Sequence, residues 1–150
     1  MSELDELYQE LILDHNKNPR NFKIPPGASH KAEGHNPLCG DKITIYLKLE
    51  DGVVKDIGFQ GSGCAISKAS ASLLTERIKE KNKAEAINLF EIIHALLTGD
   101  GEAKIDRRLV GKLSAFEGVR KFPARVKCAT LAWHTLKAAL ENKENIVFTE

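Results

Sequence analysis

The stretch KITIYLKLEDGVVKDIGFQ, residues 42–60, decides the fold class of this 150-residue chain. Its first half alternates apolar and polar residues, which is the period of a β-strand with one buried face. Asp51-Gly52 is a two-residue hairpin signal, and a return strand is predicted over 53–60. A lone hairpin is marginal in water, so we expect a third strand or packed helices. The positions predicted to face the core are Ile43, Ile45, Leu47, Leu49, Val53, Ile57 and Phe59.

Helical patterns flank this hairpin on both sides. Apolar residues recur every three or four positions before it, and they do so again in three segments after it. A weaker edge strand is predicted over 29–36 and short helical turns over 106–116. Because strands precede helices without strand–helix alternation, we predict one α+β domain spanning residues 1–150. It should have a small antiparallel three-stranded sheet and about five to six helices, of which the longer ones cover about 4–16, 64–78, 83–97 and 123–140.

Composition and charge narrow the class of protein. The apolar fraction of 42% and the charged fraction of 29% are ordinary for a globular domain. A formal net charge of +1 gives no reason to expect nucleic acid or a membrane surface as a partner. No apolar run is long enough to cross a bilayer, and the acidic N-terminus lacks the features of a secretory signal. We therefore expect a cytoplasmic protein.

The three cysteines, Cys39, Cys64 and Cys128, are odd in number and far apart. A disulfide framework is therefore not expected. Each cysteine lies at a predicted joint between elements, among glycine, proline or charged residues rather than inside an apolar run. Buried thiols, reactive thiols and a metal site remain open, because dispersed cysteines without a close pair do not distinguish them.

Local chemistry favours a shared thiolate site. Cys64 lies at a predicted helix N-terminus, where free N–H groups and the helix dipole stabilise a thiolate. Asp41, two residues after Cys39, offers a fourth ligand, and three thiolates with one carboxylate suit tetrahedral Zn²⁺. The negative charge of such a site needs nearby cations, for which Arg125 and Lys127 are candidates.

Each of these residues also has an ordinary structural interpretation. Asp41 suits a turn. Arg125 and Lys127 fit a solvated helix face. His35, four residues before the first cysteine, is a weaker candidate for a substitute ligand.

Four stretches of the chain carry a family resemblance: DHNKNPRN (14–21), NPLCGD (36–41), GSGCAIS (61–67) and KFPARVKCATLAW (121–133). They resemble the SufU proteins of iron–sulfur cluster assembly, which are relatives of the IscU scaffold. The stretches occur in the family's order and span almost the whole chain. Lys127 stands where IscU-like scaffolds carry a histidine, and residues of about 99–118 resemble an insertion of SufU-like chains.

The resemblance implies zinc bound by Cys39, Asp41, Cys64 and Cys128. It implies a pyridoxal-phosphate cysteine desulfurase of the SufS type as partner, with Cys39 accepting its persulfide sulfur and downstream iron–sulfur scaffold proteins receiving it. Arg125 is implied to lie near the metal and the partner. The chain would then be a persulfide sulfurtransferase and desulfurase activator rather than a stand-alone enzyme. The alternatives are a scaffold that builds a 2Fe–2S cluster, with iron in place of zinc, and a zinc-stabilised interaction module.

Overall fold

The computed structural model describes residues 3–98, 107–142 and 146–149. Within these residues the α+β class is confirmed, with five α-helices, a 3₁₀ helix and four β-strands. None of the helices in this part of the chain combines the length and the apolar character that crossing a bilayer requires. In chain order the elements are α1 Glu3–Lys17, β1 His30–Asn36, β2 Asp41–Glu50, β3 Val53–Ser62, α2 Ala65–Ile78, α3 Lys83–Thr98, α4 Arg107–Val110, the 3₁₀ helix Gly111–Lys121, α5 Pro123–Leu140 and β4 Val147–Phe148.

The sheet has four strands, so the predicted count of three is wrong. Its order is β3-β2-β1-β4, and β1, β2 and β3 pair antiparallel. The short β4 pairs in parallel with β1 at Gly34 and His35, which makes β1 an interior strand and the sheet mixed. A two-residue strand carries no period of its own, and its pairing depends on a partner more than a hundred positions away. The sequence therefore has no local signal for it.

The predicted hairpin is confirmed, with one correction. Asp51 and Gly52 have φ values of 53° and 76°, as the type I′ turn requires. The pairing of β2 with β3 shifts between Lys48 and Leu49, which is a β-bulge. The extra residue moves the buried position from Val53, as predicted, to Val54, which is fully buried.

The helices form a layer in which the start of α5 lies against the ends of β1 and β2. Helix α5 packs on β1 and β2, with α2 beside it, α3 on its other flank and α1 against α2. A Cβ at Gly34 would overlap the side chain of Thr135, so the glycine lets α5 approach β1 closely. Trp133 on α5 is the largest buried side chain. The first turns of α5 consequently meet the turn that joins β1 to β2.

The segment before the last helix is described in part. Residues 99–106 of the predicted insertion lie outside the described residues. Residues 107–118 form α4 and most of the 3₁₀ helix, which confirms short helical turns there.

Candidate metal centre

The predicted ligands converge at this junction. The sulfurs of Cys39 and Cys128 and one carboxylate oxygen of Asp41 all lie within 4.8 Å of one another. The two sulfurs are 3.2 Å apart, although 89 positions separate the residues. The Sγ of Cys64, the fourth predicted ligand, lies 3.7 Å from Oδ2 of Asp41. Metal–sulfur bonds of about 2.3 Å at a tetrahedral ion set ligand atoms about 3.7 Å apart. The donors fit Zn²⁺ in kind, and three of them form one close group, whereas the Cys64 sulfur lies near Asp41 and outside that group.

Cys39 is presented by the turn that joins β1 to β2. Asn36 and Asp41 pair across the ends of the two strands and close this turn, residues 37–40. The backbone N–H of Cys39 donates to the carbonyl of Asn36 at 3.2 Å, and Gly40 has a φ of 69° that favours glycine. Cys39 is exposed, as is its neighbour Leu38. Of the three thiols it is therefore the most open to a second molecule.

Cys64 is held by the packed turn that leads into α2. Its sulfur accepts a hydrogen bond from the backbone N–H of Ser67 at 3.4 Å, which makes Cys64 the N-cap of the helix and confirms its predicted place at the helix start. Its own N–H donates to Oδ1 of Asp41 at 2.8 Å. Gly63 has a φ of 152°, and a Cβ there would overlap Asp41. Only glycine therefore lets this turn lie against the carboxylate.

Cys128 is buried in the early turns of α5. Burial raises the pKa of the Cys128 thiol, and its contacts with Cys39, Cys64 and Asp41 raise that pKa further. The cause is that several acidic groups are crowded together with little water to solvate an anion. A cation placed among them reverses this effect, because a coordinating thiol is deprotonated. The cluster is thus suited to a positive ion.

Asn36 belongs to the site although the sequence analysis gives it no role. It is fully buried, and its Nδ2 donates to Oδ2 of Asp41 at 3.3 Å and to Sγ of Cys128 at 3.4 Å. Its position directly before a proline-containing turn is the available signal. That signal becomes informative only once the register of β1 against β2 is known.

The predicted cations are placed differently from the ligands. Arg125 is exposed, and its guanidinium stacks over the ring of Phe122 at 4.6 Å. Lys127 is half-buried and lines a separate cavity of about 520 Å³ together with His134. For neither cation does the described part of the chain record a contact with the four ligand side chains. Their role in balancing the charge of the site stays a prediction.

His35 does not join the site. It pairs with Glu33 at 3.1 Å and meets the ring of Phe148 edge-to-face. In β1 it alternates with the buried Asn36 and so lies on the other face of the sheet.

Comparisons with known proteins agree with this geometry. Residues 7–130 match the family model of the NifU-like N-terminal domain. The zinc-dependent sulfurtransferase SufU of Bacillus subtilis (strain 168) is 42% identical over 142 residues, which are 94% of each chain. The iron–sulfur cluster assembly scaffold protein IscU of Thermotoga maritima is 43% identical over 136 residues, 90% of this chain and 93% of that one.

The fold has matches among solved structures. The crystal structure of a nitrogen-fixing NifU-like protein (N-terminal) from Brucella abortus superposes with a TM-score of 0.80 at 26% identity, covering 94% of this chain and 96% of that one. The family model covers most of the sequence, including the first two cysteine turns and the start of α5. The chain therefore belongs to the family of the NifU-like N-terminal domain, which confirms the resemblance carried by its four motifs.

Proposed function

We propose that this chain is a zinc-dependent sulfurtransferase of iron–sulfur cluster assembly, acting as one domain over residues 1–150. The observation that carries the proposal is the exposed thiol of Cys39, 3.2 Å from the buried thiol of Cys128 and within one cluster with Asp41. Cys64 completes the donor set. When bound by these four residues, Zn²⁺ would keep the thiols deprotonated and, having no redox chemistry, would not oxidise them. The similarity to the sulfurtransferase of B. subtilis supports zinc as the ion.

The hydrogen bonds of the three sulfurs support Cys39 as the sulfur acceptor. The sulfur of Cys64 accepts from Ser67 N–H, and that of Cys128 accepts from Asn36 Nδ2. Among the described residues, the one recorded hydrogen bond of the Cys39 sulfur is accepted from the Cys128 thiol at 3.2 Å, and no N–H donor to it is recorded. Because N–H donors stabilise a thiolate and lower its nucleophilicity, Cys39 is the most reactive of the three thiols.

The partner in this proposal is a pyridoxal-phosphate cysteine desulfurase of the SufS type, which carries a cysteine persulfide. The Cys39 thiolate attacks the outer sulfur of that persulfide. A new S–S bond forms at Cys39, the S–S bond on the partner breaks, and its electron pair leaves with the partner's thiolate. The exchange needs no external oxidant or reductant. Arg125, exposed beside the start of α5, is available to the partner, and scaffold proteins receive the sulfur next.

A second candidate function is a scaffold for a 2Fe–2S cluster. The T. maritima relative, at 43% identity, is named as such a scaffold. The same thiolate donors also suit iron–sulfur clusters. Lys127 lines a cavity away from the ligands and offers no histidine nitrogen, which favours the transferase.

One experiment separates these functions. The protein is purified without added metal, its zinc and iron are quantified, and the turnover of a SufS-type desulfurase is measured with and without it. Bound zinc with stimulated turnover supports the transferase. A coloured iron–sulfur species that passes to an apo-protein supports the scaffold instead. Zinc without stimulation contradicts both and leaves a zinc-stabilised interaction module. Because three free thiols persist in a reducing compartment, the expected setting is the cytoplasm.

A further inference from the structure

The side-chain amide of Asn36 donates from its nitrogen to two candidate ligands, while its oxygen has no recorded partner among the described residues. Asn36 is fully buried, its Nδ2 contacts Asp41 and Cys128, and its Oδ1 has no hydrogen-bond partner in the described part of the chain. Buried amide oxygens are normally paired, so this one calls for an explanation. Turning the amide over would aim its oxygen at the acceptor oxygen of Asp41 and, in the metal-bound site, at a thiolate, and both hydrogen bonds would be lost. The observed orientation is the one in which the amide nitrogen donates to two candidate ligands.

We propose that Asn36 is the positioning residue that makes Cys128 a permanent ligand and thereby leaves Cys39 as the sulfur that reacts. The inference rests on the proposed function. According to this proposal, one buried amide causes the difference in reactivity between the thiols of Cys39 and Cys128, which lie only 3.2 Å apart. Asn36 itself touches neither substrate nor the acceptor thiol.

The carboxylate of Asp41 is the first group that Asn36 orients. Oδ1 of Asp41 accepts from the backbone N–H of Cys64 at 2.8 Å, and Oδ2 accepts from Asn36 at 3.3 Å. Each oxygen therefore has its own donor. Oδ2 is also the oxygen that lies 3.7 Å from the Cys64 sulfur, which makes it the oxygen available to an ion in the cluster. Groups of this kind fix the orientation of metal ligands and strengthen metal binding.

The sulfur of Cys128 is the second group. The hydrogen bond from Asn36 Nδ2 at 3.4 Å fixes the position of this buried sulfur beside the carboxylate of Asp41. Asn36 lies in β1, at the closed end of the turn, and it pairs with Asp41 across the strands. It is therefore anchored in the sheet, whereas Cys39 lies in the turn. Movement of the turn changes the position of Cys39 and leaves this hydrogen bond intact.

The test compares zinc-loaded wild-type protein with Asn36→Leu, which keeps the branched shape of the side chain and removes both donors. Zinc affinity is measured by competition with a chromophoric chelator, and the alkylation rate of each cysteine by iodoacetamide is followed by mass spectrometry. We expect zinc affinity to fall roughly 10- to 100-fold. We also expect the alkylation rate of Cys128 relative to that of Cys39 to rise about tenfold. A loss of packing would also expose Cys128, so zinc occupancy and the urea unfolding transition of each variant are measured alongside. A changed ratio at full zinc occupancy and unchanged stability is assigned to the amide.

Two further variants keep the test decisive. Asn36→Ala removes the donors without any risk of overpacking and should act in the same direction. Thr135→Val is the matched control, because it removes a buried hydroxyl from the part of α5 that faces β1, away from the ligands. It should change neither quantity.

The outcomes also separate this inference from the proposed function. If wild-type protein binds zinc and both Asn36 variants keep its affinity and its alkylation ratio, the inference alone is wrong. Lower affinity with an unchanged ratio also overturns it, because Asn36 would then not distinguish the thiols. If wild-type protein does not bind zinc, the proposed function fails and the inference fails with it.

Discussion

Two turns, residues 37–40 and 61–64, each place a cysteine beside a glycine, and they differ in packing. A Cβ added at Gly40 would meet nothing within 4 Å, and Cys39 beside it is exposed. A Cβ at Gly63 would overlap Asp41, and Cys64 after it caps a helix. In the first turn the glycine supplies a backbone conformation, and in the second it supplies space for a close approach. The difference shows that the surrounding packing, and not the motif, decides whether a thiol is presented or held.

The largest expected effect comes from removing the exposed thiol of the first turn, Cys39. In Cys39→Ala, transfer of persulfide sulfur from a SufS-type desulfurase should fall by about 100-fold or more, because the most exposed of the three thiols is lost. The persulfide formed in a single turnover is located by mass spectrometry. In wild-type protein it should lie on Cys39.

Cys39→Ala also removes a candidate metal ligand, so a matched ligand loss is the control. Cys64→Ala removes a ligand from the held turn and keeps the exposed thiol. It should still form a persulfide on Cys39 at a measurable rate. Equal loss in the two variants, or wild-type transfer in Cys39→Ala, would contradict the assigned role.

The next effect measures the packing difference directly. Gly63→Ala should lower the free energy of unfolding by roughly 3 kcal/mol, because it adds a steric overlap to an unfavourable backbone conformation. Gly40→Ala has open space and should cost only about 1 kcal/mol, from its φ of 69°. Urea denaturation of the metal-free, reduced proteins gives both values. Equal costs would mean that the two turns are packed alike.

A pH effect tests what holds the helix behind the packed turn. His15 on α1 is buried and shares a hydrogen bond of 2.7 Å with Ser72 on α2, the helix that Cys64 caps. Burial lowers the pKa of His15 below its ordinary value of 6.5, and the positive charge of Arg20 acts in the same direction against the attraction of Glu76. The unfolded chain then takes up the proton first. The stabilisation is complete above pH 6.5 and is lost as the pH falls through the folded pKa.

The expected loss reaches at most about 1.4 kcal/mol for each pH unit below 6.5. Urea denaturation of metal-free wild type and His15→Gln at pH 7.5 and 5.5 isolates the contribution of this side chain. The variant should show a weaker dependence on pH. The same slope in both proteins would mean that other groups are responsible.

The smallest expected effect on stability comes from a substitution in the exposed turn, residues 37–40. Leu38 is 67% exposed beside Cys39, so Leu38→Ser should change the free energy of unfolding by less than about 0.5 kcal/mol. Ile43→Ser, in the adjoining strand β2 and 1% exposed, provides the contrast and should cost several kcal/mol. A large cost for Leu38→Ser would show that the turn is packed in solution.

Local patterns predict most of the fold, because its main elements have regular periods. The hairpin of β2 and β3 follows from strict alternation and Asp51-Gly52, and α5 begins at Pro123 as its first-turn proline indicates. The bulge at Lys48 and the short β4 have no such signal. Both depend on how segments pair after they meet, which a window of sequence does not contain.

The candidate site also has residues that the sequence predicts and one that only the structure reveals. The nature of the donors identifies Cys39, Asp41, Cys64 and Cys128 as candidate ligands. The structure groups Cys39, Asp41 and Cys128 within 4.8 Å and places the Cys64 sulfur 3.7 Å from Oδ2 of Asp41. The function of Asn36 depends on the register of β1 against β2, since only the pairing of Asn36 with Asp41 turns its amide toward the ligands. Residues that act through other residues are recognised from contacts rather than from spacing.

The closure of residues 37–40 by the Asn36–Asp41 pair limits how far the thiol of Cys39 can move. Cys39 is two residues from Asp41, so even a fully extended backbone takes it only about 7 Å from that anchor. As the proposed acceptor, Cys39 is therefore held on a short segment with a short reach. In the proposed exchange the donor persulfide must cover the remaining distance, and a partner whose sulfur lies deeper than this reach must project it outward on a segment of its own.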